Sequence, residues 1–81
     1  MITALMTRPI GDLIRDFDND PTQWQVVRTD VVPSTNIRNQ GGSSVQELLK
    51  HKGTGEEMIR HTLLKPDGTV FGGPHFRPTW K

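Results

Sequence analysis

An α+β domain, with one or two helices packed on one face of a small antiparallel sheet, is the fold class this sequence predicts. Three observations predict it. Apolar residues recur at helical spacing near the start of the chain, a run of strand formers follows, and the last third holds two apolar, β-branched runs around a turn signal. At 81 residues the chain is read as a single compact domain over 1–81.

Ile10, Leu13, Ile14 and Phe17 stand at i, i+3, i+4 and i+7, which predicts an amphipathic helix over about residues 8 to 18. Thr7 is the expected N-cap, and Pro9 falls near the first turn, where a missing N–H is harmless. Asp18-Asn19-Asp20-Pro21 ends the helix, because the residue before proline avoids the α region. Asp12, Asp16, Asp18 and Asp20 lack the glycine and terminal glutamate of a calcium loop, so they are read as solvated and helix-terminating.

Residues 23 to 32, Gln-Trp-Gln-Val-Val-Arg-Thr-Asp-Val-Val, predict a strand that Pro33 stops. Simple alternation puts Trp24, Val26 and Arg28 on one face. Ser34 to Ser43 is rich in amides and glycine and predicts a mobile loop suited to contacting a ligand. Ser44-Val45-Gln46-Glu47 has the capping-box pattern, and with Leu48 and Leu49 it predicts a second helix over about residues 45 to 51. Gly53 and Gly55 end that helix and lead to a hairpin starting near Glu57.

The hairpin turns at Pro66-Asp67-Gly68, where proline presets φ and glycine supplies a positive φ. Each loop register sets His61 opposite residue 73, 74 or 75. A β-bulge at Gly72-Gly73-Pro74 brings His61 beside His75.

Composition narrows the classes of function. Apolar residues are 32% of the chain, so the core is expected to be thin. There is no cysteine, which removes disulfides and thiolate chemistry and fits a reducing cytosol. The first six residues are too short and uncharged for a secretory signal, and no run is long and apolar enough to span a bilayer, so no membrane partner is expected. The net charge of +1 is uneven: residues 12 to 20 hold four aspartates against one arginine, while residues 58 to 81 hold four cations and two histidines against one aspartate. The basic end is the expected polyanion surface.

Two imidazoles and a cation on one hairpin are the minimum for cleaving RNA without a metal. One imidazole removes the 2'-hydroxyl proton, the other protonates the leaving 5'-oxygen, and a guanidinium holds the charge on phosphorus. His61 and His75 take the proton transfers in either order. Arg77 and Arg60 clamp phosphate, and Thr79 donates a hydrogen bond. Arg60, Lys52 and Trp80 form the RNA-binding set, and Trp24, Phe71 and Phe76 are further stacking candidates. Glu56 or Glu57 is an alternative general base.

Plainer roles stand beside these. His61 lies between Ile59 and Leu63 and fits a core position, His51 between Lys50 and Lys52 fits a cap on the second helix, and most of the aromatic residues fit the core. No spacing of the three histidines suggests zinc, and no Walker, GxGxxG or GxSxG motif suggests a nucleotide cofactor or serine hydrolase, so no cofactor is expected.

The phrase Thr54-Gly55-Glu56-Glu57-Met58-Ile59-Arg60-His61, followed by Pro66-Asp67-Gly68 and a late histidine, resembles the C-terminal toxin domains of contact-dependent inhibition and other polymorphic toxin systems. The order of helix, short helix and terminal hairpin ending in His75-Phe76-Arg77-Pro78-Thr79 is similar to the compact bacterial ribonuclease toxins grouped as barnase, EndoU, colicin and RelE-like. The similarity spans about residues 44 to 81. It implies a metal-independent endoribonuclease toxin acting in the cytoplasm on tRNA or mRNA, including after delivery from another cell, and neutralised by a cognate antitoxin or immunity protein. The competing expectation is a noncatalytic protein-binding module, itself an antitoxin, immunity protein or phage inhibitor, that presents the open sheet face, the 33 to 43 loop and the acidic run. A third is a domain that binds RNA without cutting it.

Overall fold

The computed structural model describes residues 8–79. Helix α1 (Ile10–Asn19) is followed by four strands, β1 (Trp24–Pro33), β2 (Ser43–His51), β3 (Glu57–Leu64) and β4 (Val70–Pro78). The strands form an antiparallel meander in the order β1-β2-β3-β4, and α1 packs on one face of it, an α+β arrangement. No helix among the described residues is long and apolar enough to cross a membrane.

The apolar stripe of α1 is buried as its spacing requires. Leu13 is completely enclosed, and Ile10, Ile14 and Phe17 pack on the cluster of Leu13, Trp24, Leu49 and Met58. Phe17 meets Trp24 edge-on at 6.4 Å and tilts against Phe76 at 5.6 Å. Pro9 is the residue before the first helical turn, with its carbonyl accepting from the N–H groups of Asp12 and Leu13. Thr7, the expected N-cap, and Trp80, an expected stacking residue, lie outside the described residues. Asp20 ends the helix: its N–H donates to the Asp16 carbonyl, and its carboxylate accepts from the Thr22 N–H to start a short 3-10 turn at Pro21.

One expected element is replaced. Residues 43–51 form β2, not a second helix, and β2 pairs with β1 on one side and β3 on the other. The stripe of Val45, Leu48 and Leu49 fits either period. In the sheet, Leu49 faces α1 while Leu48 faces away, and both backbone edges are satisfied by neighbours, which a seven-residue helix could not match by burying one stripe.

A second correction concerns β1. Val26 pairs with Leu49 but Arg28 pairs with Leu48, so an extra residue bulges at Val27. Trp24 and Val26 face the helix, and the bulge turns Arg28 and Asp30 to the opposite face. The connection after β1 is anchored: Asn39 is buried and its Nδ2 donates to the Leu64 carbonyl at 2.8 Å.

The helix is tied down at one end of the sheet. Arg8 donates from its backbone N–H and from Nε to Glu56, each at 2.8 Å, and from Nη1 to Asp16 at 3.0 Å. Asp16 also accepts from Trp24 Nε1 at 3.2 Å. Burial pushes the Glu56 carboxyl up, but the hydrogen bonds from Arg8 and Thr54 and the charge of Arg8 outweigh it and hold the group at about 2.

Candidate functional site

The sheet face opposite α1 carries the residues of interest, and strand alternation puts them there. Met58 and Arg60 of β3 and Phe76 of β4 point to the helix side, so His61, His75 and Arg77 point away from it. The register makes His61 and His75 direct partners. Between His61 and Leu63 on β3, β4 advances from His75 to Gly72, one residue more, so the bulge lies at Gly73-Pro74. Gly73 has a φ of 90°, and a Cβ added there would lie 2.8 Å from the His61 carbonyl oxygen. Only glycine fits this close approach.

Two cross-strand rows build the site. Asp30, Gln46, His61 and His75 are successive partners across the four strands, and Arg28, Leu48, Ile59 and Arg77 form the next row. Ser44 Oγ lies 2.6 Å from His61 Nε2, which commits that ring nitrogen and leaves Nδ1 for other work. Arg77 reaches across β3 to donate from Nη2 to Gln46 Oε1 at 2.7 Å. His75 and Arg77 are exposed, while His61, Ser44 and Gln46 are half-buried. The arrangement offers an anion two imidazoles and a guanidinium on one open surface. Among the described residues, no three His, Asp or Glu side chains converge as metal ligands.

The other expected residues scatter. Arg60 faces the helix, with Nε 2.8 Å from Glu47 Oε1 and its guanidinium 5.5 Å from the centre of the Phe17 ring, so it does not join Arg77. Lys52 is exposed in the turn after β2, beyond the helix-bearing end of the sheet, six residues past the Gln46 row and thus about 20 Å along the strand. Thr79 is exposed just past β4. Trp24 is buried, and Phe76 packs on the core, so neither is free to stack on a base.

Glu56 is locked in the Arg8 clamp rather than poised as a base. His51 caps no helix. It ends β2, packs edge-on against Trp24 at 5.1 Å, and its Nδ1 accepts from the Gly53 and Thr54 N–H groups, both at 3.0 Å. Its proton therefore sits on Nε2, 3.6 Å from Asp16.

Ser44, Gln46, Arg28 and Asp30 escaped the sequence reading. Gln46 lay on the expected second helix and Ser44 at its cap, and the others were displaced by a bulge without a marking glycine. No family model, no curated protein and no solved structure matches the chain, and the short second helix in the element order likened to ribonuclease toxins is strand β2.

Proposed function

We propose that the open sheet face is the active site of a metal-independent endoribonuclease toxin. The observation that carries the reading is the register pairing of His61 with His75, with Arg77 on the same face. In the reaction, one imidazole takes the proton from the 2'-hydroxyl as that oxygen bonds to the adjacent phosphorus. The other gives a proton to the 5'-oxygen as its bond to phosphorus breaks. The products are a 2',3'-cyclic phosphate and a free 5'-hydroxyl. Arg77 holds the non-bridging oxygens, and Ser44 fixes the ring of His61.

The substrate is RNA, either tRNA or mRNA, and the site of action is the cytoplasm, reached by synthesis there or by delivery from another cell. The restraining partner is a cognate antitoxin or immunity protein. Incubation with a mixed RNA pool is expected to yield fragments with cyclic phosphate ends, and His75→Ala is expected to reduce the rate by about 100- to 10,000-fold. Intact RNA after prolonged incubation with the unaltered protein would remove the proposal.

One observation favours a noncatalytic protein-binding module instead. Edge strand β1 carries Val26, Val27, Val31 and Val32, all exposed, as a template to which a partner strand can add. An RNA-inactive chain that still binds a partner through β1 is the outcome this reading expects.

A further inference from the structure

A pocket of about 240 Å³ opens beside the paired histidines, lined by Arg28, Asp30, Gln46, Glu47, Leu48 and Ile59. It adjoins the phosphate site through two residues. Gln46 accepts from Arg77, and Ile59 is Arg77's register partner. We propose that this pocket is a nucleobase subsite selective for guanine, so that the RNA is bound with an unpaired guanosine next to the phosphate held by His61, His75 and Arg77. The inference rests on the endoribonuclease reading for its RNA context.

The floor and rim supply the chemistry. Leu48 and Ile59 are neighbours on adjacent strands and give an apolar floor for the flat face of a ring. Arg28 Nε holds Asp30 Oδ2 at 3.1 Å, which fixes a carboxylate and a guanidinium side by side on the rim. The carboxylate keeps lone pairs for two further donors, and the guanidinium keeps N–H groups for an acceptor. Guanine alone among the four RNA bases offers two adjacent donors, N1–H and the N2 amine, with the O6 acceptor beside them. Adenine and cytosine each pair one amine with a neighbouring acceptor, and uracil sets its single N–H between two carbonyls. An unpaired base shows this edge freely. Asp30 and His61 lie in one row with only Gln46 between them, two strand spacings or about 10 Å apart. One nucleotide spans that interval between its base edge and its phosphate.

Binding of the four nucleoside 3'-monophosphates and of inorganic phosphate to the full chain, followed by methyl and ring NMR signals, tests the assignment without requiring cleavage. Guanosine 3'-monophosphate is expected to bind about tenfold more tightly than the other three and to shift Leu48 and Ile59 as well as His61 and His75. Asp30→Asn, at an exposed position, is expected to cut that preference to within about threefold while leaving the response to inorganic phosphate unchanged. Equal binding of all four nucleotides, silent Leu48 and Ile59 methyls, or tighter binding of 5'-GTP than of the 3'-monophosphate overturns the guanine subsite. A guanine preference in a chain that leaves RNA intact supports the subsite and removes the nuclease reading, whereas cleavage without base preference does the reverse.

Discussion

The contact between Ser44 and His61 decides which nitrogen of that ring is available. With Nε2 held at 2.6 Å by the hydroxyl, Nδ1 is the nitrogen that would exchange a proton with substrate in the proposed reaction. Ser44→Ala is therefore expected to lower the RNA cleavage rate by roughly 10- to 100-fold and to change the shape of its pH dependence, while Ser44→Thr restores the hydroxyl and most of the rate. An Ala variant with an unchanged pH profile would show that Ser44 does not orient the ring. The histidine and arginine of β4 were legible in the sequence, because Gly72-Gly73-Pro74 marks a bend and His75 and Arg77 are two apart on a strand. Ser44 was not, since serine followed three residues later by glutamate is also a helix start. Arg60 was assigned to phosphate by its charge, and its ion pair with Glu47 and its stacking on Phe17 depend on neighbours brought in from other elements.

At the scale of elements, the β3–β4 hairpin was readable and β2 was not. The hairpin turn carries its own instructions: Gly68 has a φ of 90°, and the Asp67 carboxylate accepts from both the N–H and the hydroxyl of Thr69. Those bonds, the hydroxyl's first, hold the Asp67 carboxyl below its ordinary range. Strand β2 sits between two neighbours, with mixed residues on both faces, so its sequence shows no clean alternation and its apolar residues mimic a helical stripe. The Gly73 bulge is the feature on which the site's register turns. Gly73→Ala forces a side chain into a positive φ and against the His61 carbonyl, and is expected to cost at least about 1 to 2 kcal/mol and to uncouple His75 from His61. Chemical denaturation reads the first effect and RNA cleavage the second. Full activity in that variant would detach the bulge from function.

Across the whole molecule, the packed core occupies one end of an elongated sheet, and α1 is held there by Arg8, Glu56 and Asp16 as much as by Leu13. The thin core was foreseeable from composition. The clamp was not, because it joins residues 48 positions apart. Glu56 is buried, and its carboxyl is lowered from 4.5 to about 2 on folding. A lowered folded value favours the native state above the unfolded value, so this contribution is complete above about pH 5 and fades as the pH falls toward 2. At neutral pH it amounts to roughly 3 kcal/mol. Glu56→Gln is expected to lower the melting temperature at pH 7 and to flatten its fall between pH 5 and pH 2. Parallel acid transitions in both proteins would show that the clamp does not couple to folding.

The proposed chemistry requires His61 and His75 to serve one phosphate together, and the pH dependence of single-turnover RNA cleavage tests this most directly. The unaltered protein is expected to give a bell-shaped profile, with His61→Ala and His75→Ala each abolishing a different limb along with most of the rate. A profile left unchanged by either substitution would contradict a shared site.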